Sequence, residues 1–461
     1  MENIRKFSEA IYGDEPVFER IDIADADYWA FTISQFPSLR PFLLDKLVSL
    51  CAEYAENPQF KQMLMKYSST MCPVLLFRLY KKGIYSFFDV EQVLDNKECF
   101  LLCYYFKKEI KDFDTMILSF TKPSNYNPKD FESHEGIDQM IEFGFVPSTV
   151  EYCLKYDDIF EFKKHLDGPN NYLESKTHWS LFEWGKKPPN LDYLTFSGVY
   201  GSIKCFKHLL LNGYCITDMV RSAVVCSGNS ELFYICNDGI VDYSNHLCFA
   251  SQYFRLSFIN FFIDKGTHID SRSYNGYTPI HIASMFGHVS LVEFLYDHGA
   301  NLNSTDDYMC TPLHLAIMSG HFLNIEFLVK HGVDLNSGDQ MRYTPLIYAT
   351  IYKSVDVIKL LVENGANIDL SDEIKMTSLH YAAQKGSLSA VEFLVNRGAD
   401  LTKCSECIPP GTPLHGATYE GHLAVVEFLI NHGANINEKD ADNSTPLHYA
   451  ASKGQIILLN T

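Results

Sequence analysis

The chain has 461 residues, 46% of them hydrophobic and 14% aromatic, which is enough apolar material to fold along its whole length. Its 38 Lys and Arg stand against 57 Asp and Glu, a formal charge of −19. That balance argues against nucleic acid or an anionic membrane surface as a partner, since phosphate contact needs clustered Lys and Arg, and leaves basic proteins or peptides as the easier partners. Thirteen cysteines lack framework spacing, and the first twenty residues carry no apolar stretch of the signal-peptide kind. These features predict reduced thiols and a cytoplasmic protein, with the nucleus also compatible. The longest apolar runs, such as 99–106, reach about half a membrane span or less, so no membrane insertion is expected.

Residues 1–120 read as an N-terminal helical domain. Apolar residues recur there at helical spacing, as at Leu44, Leu47, Cys51 and Tyr54, and no motif in the segment is tied to chemistry. Residues 121–136 hold Pro123, Pro128 and several Asn and Asp without periodicity, which predicts a linker. Residues 137–190 read as a helical capping segment with short helices at Val150–Tyr156 and Ile159–Leu166, followed by an aromatic loop. Trp179 and Trp184 in that loop are expected to seal the N-terminal end of a stack of helix pairs, because the open end of a stacked array needs covering. Over 191–267 three stretches, 197–213, 223–239 and 250–266, align without gaps on 283–299. Their closing glycines are more closely spaced than those downstream, which predicts divergent helix pairs with shortened loops.

From residue 268 a phrase recurs: Thr278-Pro279-Ile280-His281, Thr311-Pro312-Leu313-His314, Thr344-Pro345-Leu346-Ile347, Thr377-Ser378-Leu379-His380, Thr412-Pro413-Leu414-His415 and Thr445-Pro446-Leu447-His448. The threonines are 33, 33, 33, 35 and 33 residues apart, a period that marks a stacked solenoid. Each Thr can cap a helix with its hydroxyl, and each Pro suits the first helical position, where its missing N–H would be unpaired anyway. A first helix then ends near Gly287 and its equivalents. A second helix with apolar residues at Val289, Val292, Phe294 and Leu295 stops at Gly299, and matching stops are Gly332, Gly365, Gly398 and Gly433. The unit is helix, turn, helix and a projecting loop. After Gly454 only Gln455 to Thr461 remain, so the last unit is expected to be truncated, with a partly exposed groove and fraying aliphatic residues.

Over residues 270 to about 454 this pattern resembles the ankyrin repeat, in its phrase, its glycine positions and its period. The departures are Ile347 and Ser378 in the phrase, and Met309, Arg342 and Lys375 at loop tips where glycine is usual. The whole arrangement is similar to the expanded ankyrin-repeat families of parasitic protists, which have a helical region of unassigned role at the N-terminus. The resemblance implies an all-α fold, an ankyrin-repeat α-solenoid with β-hairpin-like loops behind an N-terminal helical domain.

Catalysis is not expected. The chain has no G-x-S-x-G elbow, phosphate-binding G-x-x-x-x-G-K, dinucleotide fingerprint, kinase H-R-D or H-E-x-x-H. Register accounts for eleven of the 17 histidines, five in the phrase, three after turn glycines and three before stop glycines, and so predicts structural roles for them. Cys404 and Cys407 form one C-x-x-C where the period stretches by two residues, and a zinc site would need two more donors. No cofactor or metal is expected. The acidic row Glu293, Glu326, Glu392 and Glu427 on second helices reads as a solvated outer face.

In ankyrin repeats the loop tips and the free side of the first helices line the concave face. Here the resemblance puts Tyr274, Tyr277, Tyr308, Met341, Tyr343, Ile374 and Met376 on loops, and Met285, Phe286, Met318, Ile351, Tyr352 and Tyr419 on first helices. Tyrosine and methionine are common interface anchors, and solubility alone would not select them. The expectation is a non-enzymatic scaffold that binds a partner protein or basic peptide on this face. An alternative is an adaptor whose N-terminal domain recruits a ubiquitin ligase or signalling enzyme.

Overall fold

A computed structural model of the chain describes Tyr80, Lys82 and residues 149–166, 191–237, 242–273, 275–407 and 410–454. Apart from Tyr80 and Lys82, the expected helical domain over 1–120 lies outside the described residues, as do the linker, the loop with Trp179 and Trp184, Tyr274 and the aliphatic residues 456–459. The described elements are helices throughout, and the chain divides into two compact units, Met1–Val241 and Asp242–Thr461.

In the first unit, α1 (Val150–Tyr156) and α2 (Ile159–Leu166) form at the bounds that the sequence predicts. The Thr149 hydroxyl accepts the Tyr152 N–H and caps α1. Then come α3 (Tyr193–Tyr200), α4 (Ile203–Leu211), α5 (Asp218–Ser227) and α6 (Ser230–Cys236). Asp157, left-handed at φ 56°, turns the chain between α1 and α2. Its carboxylate accepts the N–H groups of Lys204 and Cys205 at 3.1 and 2.8 Å and so caps the start of α4 in the next pair. α3 packs on α1 and α5, and Gly198 permits the second approach: a Cβ there would lie 3.2 Å from the Val224 side chain. Phe162, Phe196 and Phe206 are fully buried in this unit. Each stabilises it by about 2–3 kcal/mol through apolar surface removed from water.

The second unit opens with α7 (Ser244–Gln252) and α8 (Leu256–Asp264). Although their spacing groups them with the upstream pairs, α7 packs directly on α9 (Pro279–Met285). Two side chains make the joint. The Cys248 thiol donates to the carbonyls of Ser271 and Tyr277 at 3.7 and 3.5 Å, and His288 Nε2 meets the Gln252 carbonyl at 2.9 Å. The regular pairs come next: α9 with α10 (Val289–Asp297), α11 (Pro312–Ser319) with α12 (Phe322–Lys330), and α13 (Pro345–Ile351) with α14 (Val355–Glu363). Beyond them are α15 (Ser378–Gln384) with α16 (Leu388–Asn396), α17 (Pro413–Glu420) with α18 (Leu423–Asn431), and α19 (Pro446–Ser452).

First helices stack on first helices along this unit, and second helices form a parallel row beside them. The core is the seam between the rows. Ile280, Leu313 and Leu346 are fully buried and Leu379 and Leu414 almost so, which explains the aliphatic third phrase residue in these five units. A second register holds the loops together. Side-chain oxygens of Asp270, Asn303, Asn336 and Asp369 accept backbone N–H groups of Asn301, Asp334, Asn367 and Asp400 at 2.8–3.0 Å, each one unit further on. Thr402 takes this register next, where the period lengthens, and the described row of bonds ends at Asp400.

Candidate functional site

The projecting loops of the second unit are built on buried carboxylates. Asp306, Asp339, Asp372 and Asp440 each stand five residues before a phrase threonine. One oxygen of each accepts two backbone N–H groups of its own loop. Asp339 takes Met341 and Tyr343 at 2.9 and 2.8 Å, and Asp372 takes Ile374 and Met376 at 3.0 and 2.8 Å. In three loops the other oxygen accepts a tyrosine hydroxyl from the following first helix: Tyr348 to Asp339 at 2.8 Å, Tyr381 to Asp372 at 2.6 Å and Tyr449 to Asp440 at 2.6 Å. Burial, then the carboxylate partner, holds these phenols well above their usual pKa. Each loop is thereby fixed to the helix behind it. Sequence reasoning missed these groups, although an Asp at five before and a Tyr at four after the phrase threonine marks them.

The tips are shaped by this anchoring. Met309, Arg342 and Lys375 adopt φ of 61–62°, the conformation glycine takes at Gly276 in the first loop. Each costs about 1–2 kcal/mol against a right-handed residue, and the two Asp-held N–H groups on either side enforce it. Neighbouring tips are then bonded in series. The N–H groups of Gln340, Glu373 and Glu406 donate to the carbonyls of Tyr308, Met341 and Ile374 at 3.0, 3.2 and 2.9 Å.

This frame exposes three apolar side chains in one register, Tyr308 at 63%, Met341 at 50% and Ile374 at 40%. Phe286, Met318 and Tyr352 are exposed at the C-terminal ends of their first helices. Ring contacts run from a loop base to one of these helix ends and to the next first helix: Tyr343 to Tyr348 at 5.7 Å, Tyr348 to Tyr352 at 6.4 Å, and Tyr343 to Tyr381 at 6.1 Å. Loop bases and first-helix ends therefore lie along one side. Tyr277, Met285, Tyr343, Ile351 and Tyr419 are half-buried, and Lys453 sits over the Tyr419 ring at 4.1 Å. Met309, not anticipated as a contact residue, is also half exposed.

Met376 departs from the expectation of an exposed contact residue. It is 4% exposed and packs with Ile347 and Tyr381. In the other units the phrase histidine donates from Nε2 to the carbonyl of the residue at this position: Cys310, Tyr343, Gly411 and Ser444 at 3.0–3.3 Å. Ile347 has no donor to offer, and an inward Met376 replaces the polar bridge with an apolar contact.

The histidines have the structural roles that register predicts. His281, His314, His380, His415 and His448 accept the N–H of their phrase threonine on Nδ1 at 3.0–3.3 Å. Where Nε2 donates to the next loop, the ring is the neutral Nε2–H tautomer. Burial pushes the pKa of His281, His288, His321 and His380 down to about 4. His298, His331 and His432 cover the Phe294, Phe327 and Phe428 carbonyls of their own last turns at 2.7–2.8 Å. Cys404 and Cys407 lie in the lengthened loop. The Cys404 thiol donates to the Thr402 carbonyl at 3.6 Å, and Cys407 leans on the Ile347 and Met376 cluster. Among the described residues no group of three potential metal ligands converges, and no helix is long and apolar enough to cross a membrane.

Between α17, α18 and α19 lies a separate apolar concavity of about 250 Å3, lined by Leu414, Val426, Ile430, Ile436 and Leu447 among others. Leu447 is 54% exposed where its register equivalents are buried.

A family model described as ankyrin repeats (3 copies) matches residues 194–306, 247–339, 333–405 and 379–460, together more than half of the chain. The divergent pairs from residue 194 fall within these matches. Among solved structures, the crystal structure of the human ASB11 ankyrin repeat domain is similar at 24% identity. That match covers 46% of this chain and 96% of that one with a TM-score of 0.40. No curated protein matches the chain.

Proposed function

The chain belongs to the ankyrin-repeat family, whose repeats generally mediate protein–protein interaction, and from that premise we propose that it is a non-enzymatic scaffold. Its partner is a protein, held on the loop tips and first-helix ends of the second unit. The observation that carries this reading is the row Tyr308, Met341 and Ile374, apolar and exposed on loops held by buried aspartates and by backbone bonds from tip to tip. A rigid, pre-ordered surface loses little entropy on binding, and large apolar side chains on such a surface are typical anchors. The second helices offer a contrast: their exposed Lys330 and half-exposed Glu326 form an ion pair at 2.9 Å, as a solvated face does. The buried thiols of Cys248 and Cys205 serve as donors to backbone carbonyls, which suits a reducing compartment such as the cytoplasm. The adaptor alternative rests on residues 1–120.

Site-specific photo-crosslinking tests this reading. A crosslinking side chain at Met341 or Ile374 should capture a protein from a lysate of the source cells, and one at Lys330 should not. Capture at Lys330 with none at Met341 and Ile374 would overturn it.

A further inference from the structure

The partner's chemistry can be read from the limits of the exposed face and from the charges around it; this step rests on the binding face proposed above. On this face the exposed large apolar residues of the loop tips and first-helix ends fall in three consecutive units. At the helix ends this set comprises Phe286, Met318, which stands one residue before Ser319 of the same register, and Tyr352, and the register then changes to Lys385 and Glu420. Along the tip register it runs through Tyr308, Met341 and Ile374, and then meets Cys407, which is turned toward the core.

The length of this face is set by the loop bonds. Within one loop the Asp339 N–H donates to the Tyr343 carbonyl, and between loops the Glu373 N–H donates to the Met341 carbonyl. Each unit thus contributes two extended segments to a hydrogen-bonded series, so tips repeat at twice the strand spacing, roughly 10 Å. Three tips span roughly 20 Å, the reach of about six residues of extended chain at about 3.3 Å each.

The charges are the second observation. The whole chain is strongly acidic, but at this face the acids are largely engaged. Asp307 pairs with Arg272 at 3.1 Å and Glu406 with Lys375 at 2.6 Å, while Asp339 and Asp372 are buried under tyrosine hydroxyls. Arg342 beside Met341, Lys353 beside Tyr352, and Lys385 are exposed and outside every ion pair described, with Glu373 the one exposed acid of the same kind between Met341 and Lys385. A docking segment on the apolar row therefore meets three unpaired cations, with Glu373 among them and Glu420 next after Lys385 in the helix-end register.

We propose that this three-unit face binds an extended segment of a partner protein with about six residues of mainly large apolar side chains, flanked by Asp or Glu. The apolar side chains lie on Tyr308, Met341 and Ile374, and the flanking carboxylates meet Arg342, Lys353 and Lys385. Such charges set orientation and encounter rate more than they add affinity, and their effect is screened by salt.

The test uses the full chain and synthetic ten-residue peptides read by fluorescence anisotropy. A six-residue core of mixed Leu, Tyr, Phe and Val is flanked by Glu, Ser or Lys, and a control keeps the Glu flanks on a Ser core. The Glu-flanked apolar peptides should bind at least tenfold tighter than the Lys-flanked ones, and the preference should shrink in high salt. The variant Arg342→Asn, Lys353→Asn and Lys385→Gln should remove that preference without weakening the Ser-flanked peptides. Asn tolerates the left-handed backbone at 342 and 353, so the fold is kept. Tighter binding of Lys-flanked peptides, equal binding of the Ser-core control, or no binding by any apolar peptide would overturn the proposal. In those cases partner capture at Met341 still distinguishes a wrong segment from a wrong face.

Discussion

At the residue scale, the histidines decide how this chain responds to acid. His281, His288, His321 and His380 are buried and neutral, with pKa pushed to about 4 by desolvation, against about 6.5 in an unfolded chain. Below pH 6.5 the unfolded state therefore binds protons that the folded state does not. The stability these rings contribute is complete above pH 6.5 and is lost as pH falls toward 4, at about 1.4 kcal/mol per pH unit for each ring. Protonation also puts a hydrogen on Nδ1, facing the threonine N–H that it must accept. Urea midpoints measured at pH 7, 6 and 5 should fall progressively, and a His281→Asn, His380→Asn variant should show a shallower fall. A midpoint constant between pH 7 and 5 would contradict this account of the phrase. Each of these rings is held in place by at least one nitrogen bonded to a backbone group.

At the scale of elements, the helix pairs arise from short-range signals. Threonine caps, proline at the first helical position and glycine stops lie within a few residues of the ends they determine, so α9 to α19 could be read from the phrase and its period. The loop locks needed more. Asp372 and Tyr381 are nine residues apart and meet only because the loop folds back on α15. The burial of Met376 depends on Ile347, a substitution in the preceding unit, and no pattern inside one repeat records that pairing. For the same reason Tyr343 and Tyr277 read as contact residues but are half-buried. Burial also predicts unequal costs at one register. Leu379→Ala removes a side chain 1% exposed between stacked helices and should cost about 2–5 kcal/mol. Leu447→Ala, at the same phrase position but 54% exposed, should cost under about 1 kcal/mol. Chemical denaturation of the two variants checks the contrast, and equal losses would mean that the wall of the groove beside α19 is covered in solution.

At the scale of the whole molecule, chemistry is divided between a frame and a face. Phrase residues, stop glycines, buried aspartates and their tyrosines are consumed in holding each unit of the second half to the next. The irregular residues between them remain for recognition, and in three consecutive units they are apolar and exposed. The claim that these tips bind the partner is tested most directly by comparing two variants against the protein captured at Met341. One carries Tyr308→Ser, Met341→Ser and Ile374→Ser; the other carries Glu293→Ser, Glu326→Ser and Glu427→Ser on the second helices. With both folded to the parent's helix content, the tip variant should bind at least about a hundredfold more weakly, a loss of about 2.8 kcal/mol, and the second-helix variant should bind within about twofold of the parent. Unchanged affinity in the tip variant, with the loss falling instead on the second-helix variant, would contradict the account.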